Sequence, residues 1–151
     1  MSDAFARFEA TWLTRLRADA LVAFYYGPLP ALTGIHSAVA DAFVEQHGLQ
    51  PIGFNWELLD ANAAAGEPRS ALGEMVKALS DDIAQPGKQW MGEDVATQCA
   101  TDFLAALDPA TRTVVSNRYE GLWNPISGAP VEWGFVGFDD KHTALLLIAS
   151  R

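Results

Sequence analysis

Cysteine is almost absent from this chain, and basic residues are scarce. A single cysteine, Cys99, among 151 residues excludes a disulfide within the chain. Ten lysines and arginines stand against 19 aspartates and glutamates, which leaves a formal net charge of −9. Such a charge disfavours nucleic acids and anionic membranes as partners. The lone cysteine favours a reducing, cytoplasmic compartment.

Targeting and membrane-spanning segments are not expected either. Met1–Phe5 lacks the basic region of a secretory signal, and the arginines at 7, 15 and 17 interrupt the residues that follow. No apolar run approaches the roughly 20 residues that span a bilayer. Since 151 residues suffice for one buried core, we expect residues 1–151 to form a single domain.

Reaction motifs are missing as well. The sequence contains no G-x-S-x-G, no H-E-x-x-H, no glycine-rich phosphate loop with a lysine and no C-x-x-C. His36 and Asp41 lie five residues apart, which does not match the spacing of metal ligands on one helix face. Cys99 lies in an apolar helical stripe, which favours an inert buried thiol over a nucleophile. The motifs therefore assign no catalytic residue, cofactor or metal, and only dispersed histidines and acids could still meet in space.

Apolar residues, by contrast, make up half of the chain, and the C-terminal forty residues contain their most extended runs. Val131–Phe138 and Thr143–Ala149 flank the polar segment 139–141, which predicts a β-hairpin. Thr113–Glu120 predicts a further strand, so that the C-terminal part forms a three-stranded antiparallel meander. Because residues 144–149 show no alternation, both faces of the last strand should be covered.

The first two thirds of the chain show helical periodicity. Apolar residues at three- and four-residue steps predict four helices, which run from Asp3 to Phe24, from a Thr33 N-cap to Gly48, from Pro68 to about Ile83, and from Glu93 to Leu107. Alternation at 52–58 predicts one isolated, half-buried strand. The predicted fold class is therefore α+β, with about four helices packed on an antiparallel sheet. The residues expected to be mostly buried are Trp12, Val39, Phe43, Leu72, Val76, Leu79, Phe103, Val136, Leu145 and Leu147.

The negative charge is confined to one segment. Residues 41–108 carry twelve acidic groups against three basic ones, whereas residues 1–40 and 112–151 each sum to zero. Such a segment favours a basic protein as partner, although solubility alone is the alternative explanation. The candidate partner-binding residues lie at helix ends, in loops or off the apolar stripes, and they are Asp60, Glu67, Glu74, Asp81, Asp82, Glu93 and Asp94, with Trp90 and Trp123 as aromatic anchors. Asp81 and Asp82 are expected to be solvated, so that reversing both to lysine should slow association and leave the fold intact.

In size, charge and architecture the chain resembles the small acidic immunity proteins of bacteria, which bind and neutralise a cognate toxin. That resemblance implies a non-enzymatic protein-binding module or inhibitor, and it carries no residue motif. The alternative is a small-molecule-binding domain or an enzyme, with a pocket between the sheet and the helices near Trp56, Trp123 and Trp133. The sequence leaves open which partner is bound and whether the chain forms homo-oligomers.

Overall fold

Helices flank the sheet on both of its faces. The computed structural model describes residues 4–30, 34–120 and 122–150. Within these ranges the helices are α1 Ala4–Arg17, α2 His36–Gln46, α3 Ala71–Ser80 and α4 Glu93–Ala105. The prediction of four helices is thereby confirmed. Asp3 and Thr33, the predicted start of the first helix and N-cap of the second, lie outside the described residues.

The strands form two antiparallel sheets in the described part of the chain. They are β1 Leu21–Pro28, β2 Glu57–Leu59, β3 Thr113–Ser116, β4 Arg118–Tyr119, β5 Leu122–Trp123, β6 Glu132–Phe138 and β7 His142–Ala149. The larger sheet has the order β1-β7-β6-β3-β2, and β4 pairs with β5 in a separate two-stranded sheet. The α+β class is therefore confirmed.

The predicted C-terminal hairpin and meander are confirmed in their pairing. β6 pairs with β7 from Glu132 opposite Ala149 to Phe138 opposite Thr143, and β3 pairs with β6. The Asp139 carboxylate closes the hairpin turn, because it accepts hydrogen bonds from the backbone N–H of Lys141 at 2.9 Å and of His142 at 2.7 Å. The predicted strand 113–120 is interrupted after Ser116, so that β3 and β4 belong to different sheets.

The prediction of a first helix through Phe24 is wrong beyond Arg17. Leu21–Pro28 forms an edge strand, and all eight of its residues pair with β7. Phe24 packs into the larger core, whereas the next residue, Tyr25, packs against the smaller one, which is the period of two of a strand. A four-residue step from Ala20 to Phe24 fits either a helix or one face of a strand. Pairing with β7, a contact distant in sequence, decides in favour of the strand.

The predicted strand at 52–58 is also corrected. Residues Gly53–Asn55 form a short 3-10 helix, and β2 begins only at Glu57. β2 is not isolated, because it pairs with β3 at the edge of the larger sheet. Phe54, predicted to face inward, is 87% exposed.

A carboxylate from α2 explains this local geometry. Asp41 accepts hydrogen bonds from the backbone N–H of Ile52 at 2.8 Å and of Gly53 at 2.9 Å. The same carboxylate accepts a hydrogen bond from Trp56 Nε1 at 2.8 Å. These three bonds hold the chain in a turn at the position where alternation alone predicts an extended strand.

Both faces of the sheet are covered, as the continuous apolar run of β7 predicts. Leu146 and Ile148 belong to a core formed with residues of α1, α3 and α4, whereas Leu145 and Leu147 belong to a second core formed with α2. Eight of the ten predicted core residues are buried, and the other two, Leu72 and Val76, are half-buried against the larger core. No helix in the described ranges is long and apolar enough to cross a membrane.

Candidate partner-binding surface

The nine predicted contact residues fall into separate regions of the molecule. Asp60 and Glu67 lie before α3, and Asp60 forms a β-bridge with Ser70, the N-cap of that helix. Asp81 is the C-cap of the same helix. A ten-residue helix is about 15 Å long, so the acids at its two ends belong to different surfaces.

The acids before α3 are exposed. Asp60 Oδ1 accepts a hydrogen bond from the Asn62 backbone N–H at 3.0 Å, so this carboxylate also shapes its own loop. The Glu67 side chain forms no hydrogen bond or ion pair with any described residue. Glu67 is therefore the acid of this region whose charge is fully available to a partner.

Glu74 is not exposed, contrary to its predicted position off the apolar stripe. It is 5% exposed, and its Oε2 is 2.8 Å from Nζ of Lys77, which itself points outward. The pair raises the pKa of Lys77, mainly through this hydrogen bond. α3 buries more than one stripe because it packs on α4 as well as on the core, and Glu74 faces the side where Arg118 lies. Glu74 therefore cannot contact a partner directly.

Asp81 and Asp82 are half-buried, so the prediction that both are solvated is wrong. Asp82 Oδ1 accepts hydrogen bonds from the backbone N–H of Ala84 at 2.8 Å and of Gln85 at 3.2 Å. A lysine at position 82 removes this acceptor and disturbs the loop that joins α3 to α4. The double reversal is therefore not a clean test of surface charge.

Glu93 and Asp94 are exposed and occupy the first turn of α4. Acidic side chains at a helix N-terminus are stabilised by the helix dipole, typically by about 0.3–1 kcal/mol each. Their carboxylates accept no hydrogen bond from the described residues. Together with Asp81 they place three free carboxylates around the α3–α4 loop.

A cavity of about 490 Å³ opens beside this loop. Its walls come from the α1–β1 turn, from the α3–α4 loop and from the end of β7. The charged groups that line it are Asp19, Asp82 and Lys88, and the uncharged polar residues are Gln85, Gln89 and Ser150. Two carboxylates against one ammonium leave the lining with a net negative charge.

Trp90 forms the aromatic wall of this cavity. The side chain is half-buried, and its Nε1–H is buried with no hydrogen-bond partner in the part of the chain that the structure describes. Ile148 lines the same cavity and is the strand partner of Trp133 on β6. The predicted anchor Trp90 thus stands at the end of the sheet where β6 begins and β7 ends.

The second predicted anchor, Trp123, lies on β5 and is half-buried. Its strand partner is Arg118, whose Cζ lies 5.4 Å from the Trp123 ring centroid and 4.4 Å from that of Trp133. Trp56, by contrast, belongs to the core on the opposite face of the sheet. Trp123 and Trp133 therefore share one cation, and Trp56 lies on the other side of the sheet.

Arg118 is the main residue that the sequence patterns missed. Its Nε and Nη1 are buried without a hydrogen-bond partner among the described residues, and so is Nε1 of Trp133. Burial lowers the pKa of Arg118, and the nearby Glu74 carboxylate partly offsets that effect. Each buried donor left without an acceptor typically costs about 1–3 kcal/mol, so such a cluster is unusual for a purely structural arrangement. In the sequence, Arg118 is one polar residue within the predicted strand 113–120, and no local signal distinguishes it.

A further buried group is the carboxylate of Glu132 at the start of β6, which is 0% exposed. It accepts hydrogen bonds from Asn117 Nδ2 at 2.9 Å and from the backbone N–H of Ile126 at 2.8 Å and of Ser127 at 3.1 Å. Asn117 Nδ2 also donates to the backbone oxygen of Asn124 at 3.0 Å. This network fixes the loop that follows Trp123, and its role is structural.

Metal and thiol chemistry find no support among the groups described. Those residues include no cluster of three or more His, Cys, Asp or Glu side chains that could hold a metal ion. Cys99 is buried, as predicted. Burial raises its pKa to about 12, with a smaller contribution from Asp102. Since the thiolate is the reactive form, this residue is not poised as a nucleophile.

Comparisons with protein-family models, with curated proteins and with solved structures found no significant match to this chain.

Proposed function

We propose that the chain is a non-enzymatic protein-binding module that captures a basic partner at the α3–α4 end of the molecule. The observation that carries this proposal is the acidic cavity walled by Trp90, with the free carboxylates of Asp81, Glu93 and Asp94 near it in the chain. Neutralisation of a toxin, as by the immunity proteins that the chain resembles, is the form of this activity that we propose. The lone cysteine agrees with action in a reducing, cytoplasmic compartment.

The chemistry of the cavity suits the side chain of a lysine or arginine. An aromatic face attracts a cation within about 6 Å of its centroid, and carboxylates add charge-assisted hydrogen bonds. Asp19 and Asp82 supply such carboxylates, and Asp19 accepts no hydrogen bond from the described residues. Glutamine side chains at 85 and 89 supply neutral acceptors. A basic side chain can therefore enter the cavity without leaving its charge unpaired.

The charge of the whole chain favours fast association with such a partner. A net charge of −9 attracts a basic protein at long range, and steering of this kind raises association rates well above those of neutral pairs. Salt screens this attraction over a Debye length of about 10 Å at 0.1 M ionic strength. We therefore expect the association rate to fall as the salt concentration rises.

The test is affinity capture from the native host, followed by binding kinetics on the captured partner. The variant Glu93→Lys/Asp94→Lys changes the net charge by about +4 near the cavity, and both positions are exposed and unpaired. Its matched control is Glu45→Lys/Asp140→Lys, which changes the net charge by the same amount on α2 and in the β6–β7 turn. Helix-dipole effects make the first variant less stable by about 0.6–2 kcal/mol, so unfolding curves of both variants accompany the kinetics.

The proposal requires that the Glu93/Asp94 variant lose at least about tenfold in association rate at low salt, while the control loses much less. Equal losses in both variants would show that only the overall charge matters. An association rate that changes neither with the salt concentration nor with the charge reversal at positions 93 and 94 would overturn the proposal.

A further inference from the structure

Two side chains in contact near the start of β6, Arg118 and Trp133, carry four buried N–H groups that have no acceptor among the described residues. A guanidinium carries five N–H groups, one on Nε and two on each Nη. Nε and Nη1 of Arg118 therefore contribute three buried, unpartnered N–H groups, and Nε1 of Trp133 contributes the fourth. The Cζ atom of Arg118 lies 4.4 Å from the Trp133 ring centroid, so these donors belong to one cluster.

The donors of Arg118 are arranged for a bidentate acceptor. A guanidinium presents two forks to a carboxylate, Nε with Nη2 and Nη1 with Nη2. Each fork of Arg118 contains one of its unpartnered buried nitrogens. Glu74, whose charge acts on Arg118, does not occupy either fork. Its carboxylate is bound by Lys77 at 2.8 Å and forms no ion pair with Arg118 in the described structure.

We infer that Arg118 and Trp133 form a binding site for a monovalent carboxylate, which is either a small organic acid or the C-terminus of a peptide. Arg118 binds the two carboxylate oxygens, Trp133 Nε1 donates to one of them, and Trp123 covers the organic part of the ligand. This site is distinct from the acidic cavity that the proposed function uses.

Charge favours a monovalent anion over a dianion such as phosphate. One guanidinium and one neutral indole N–H balance a single negative charge. Glu74 stands near Arg118, and the chain as a whole carries −9, so a second negative charge on the ligand is repelled. A planar carboxylate also fits a guanidinium fork between two aromatic rings better than a tetrahedral anion does.

Access to the site is through the β4–β5 hairpin. In the described part of the chain, that hairpin pairs Arg118 with Trp123 and Tyr119 with Leu122. Its base is held by two hydrogen bonds between Asn117 and Asn124, at 2.9 Å and 3.0 Å. Leu122 is 81% exposed and Trp123 is half-buried, so displacing them exposes little additional apolar surface. Two-stranded hairpins of this size have little stability of their own, which allows Trp123 to move away from Arg118 and to close on a ligand.

NMR titration of the full chain with benzoate tests the site directly, because Arg118 Nε–H and Trp133 Nε1–H give their own signals. At constant ionic strength, benzoate should shift both signals saturably, with a dissociation constant in the low millimolar range or tighter, as expected for so small a ligand. Benzamide, which has the same shape without the charge, should bind at least about tenfold more weakly. A short peptide with a free C-terminus, compared with its C-terminal amide, shows whether a peptide is the source of the carboxylate.

Three variants separate binding from folding. Arg118→Met should abolish the benzoate shift at Trp133, and Trp133→Phe, which keeps an aromatic ring but loses the N–H, should weaken binding several-fold. Arg112→Gln is the matched control, since it also removes one positive charge, and Arg112 already has partners in Asn62 Oδ1 and the Leu104 oxygen, each at 2.9 Å. Its affinity for benzoate should equal that of the unaltered chain.

Several outcomes would overturn the inference. These are the absence of a shift at both signals, equal shifts with chloride or benzamide, tighter binding of inorganic phosphate than of benzoate, and unchanged binding in a folded Arg118→Met variant. If Arg118→Met does not fold, the comparison of benzoate with benzamide on the unaltered chain and on Trp133→Phe decides by itself.

Discussion

Replacing the buried carboxylate of Glu132 with an amide should destabilise the protein strongly. Its Oε2 accepts hydrogen bonds from Asn117 Nδ2 at 2.9 Å and from the Ile126 backbone N–H at 2.8 Å. Its Oε1 accepts hydrogen bonds from Ser127, at 3.1 Å from the backbone N–H and at 2.8 Å from Oγ. All four partners are donors, and the glutamine in Glu132→Gln has only one oxygen with which to accept.

The cost follows from which pair of donors loses its acceptor. The amide nitrogen of the glutamine will face Ser127, because the Ser127 hydroxyl can rotate to accept a hydrogen bond and this residue is exposed. The backbone N–H of Ser127 then loses its partner, and the two bonds that remain at Ile126 and Asn117 no longer have a charged acceptor. Hydrogen bonds to a charged group are worth about 1.5–3 kcal/mol each, and neutral ones about 1 kcal/mol. We therefore expect a loss of about 2–4 kcal/mol in the free energy of unfolding.

Urea denaturation measures this loss, and Ser127→Ala is its control. The control removes a hydroxyl that donates to Glu132 and accepts from the Ala129 backbone N–H at 3.2 Å. Because Ser127 and its neighbourhood are exposed to water, the change should cost about 1 kcal/mol or less. In Glu132→Gln, amide hydrogen exchange at positions 126 and 127 should also accelerate, because the loop after Trp123 loses its anchor. A change below about 0.5 kcal/mol, with exchange unaltered, would refute the view that the carboxylate holds this loop.

Three further predictions concern the core, the thiol and the hairpin turn. Leu79 and Leu147 are 0% and 4% exposed, so Leu79→Ala and Leu147→Ala should each lower the free energy of unfolding by about 2–5 kcal/mol. Leu122 is 81% exposed, so the control Leu122→Ala should change it by less than about 0.5 kcal/mol in the same urea experiment. Because burial raises the pKa of Cys99 to about 12, a thiol reagent such as DTNB should react with it at pH 8 only after unfolding, and rapid reaction of the folded chain would contradict this. Burial alone would raise the pKa of Asp139, but backbone N–H groups of Asp108, Lys141 and His142 outweigh it and lower the pKa below its ordinary value of 3.8. Asp139 therefore stabilises the fold above about pH 4 and loses this effect as the pH falls through its folded-state pKa, so unfolding curves of Asp139→Asn should show less acid destabilisation than those of the unaltered chain.

The sequence predicts well those elements whose pattern is periodic and local. The stripe of α3 and the apolar run of β7 identify their elements and their burial because helix and strand periods differ clearly there. Residues 18–24 lack such a signal, because no glycine or proline marks the end of α1 at Arg17, and the pattern therefore does not show where the helix stops. The strand character of β1 depends on its pairing with β7, which is more than 110 residues away in the chain.

Polar interactions across the fold explain the remaining differences between the predicted and the observed structure. The turn at 53–55 depends on Asp41, and the burial of Glu74 depends on the packing of α3 near Arg118. The exposure of Glu67, Glu93 and Asp94 could be predicted from the sequence because a loop or a helix end exposes its polar side chains. The cavity could not be predicted, since it is formed by segments near residues 19, 82–90 and 148–150 that meet only in the folded chain.

The acidic cavity and the Arg118 cluster lie at the same end of the sheet, and their separation fixes how strongly they can influence each other. Ile148 lines the cavity, its strand partner Trp133 contacts Arg118, and adjacent strands are about 5 Å apart. A carboxylate at Arg118 would thus sit about 10 Å from a cation in the cavity, which in water corresponds to an attraction of about 0.4 kcal/mol. Coupling between two sites is reciprocal, so bound benzoate should raise the affinity for a basic partner by about twofold and no more. A much larger effect, or weaker binding of the partner in the presence of benzoate, would mean that the carboxylate acts by moving the β4–β5 hairpin rather than through its charge.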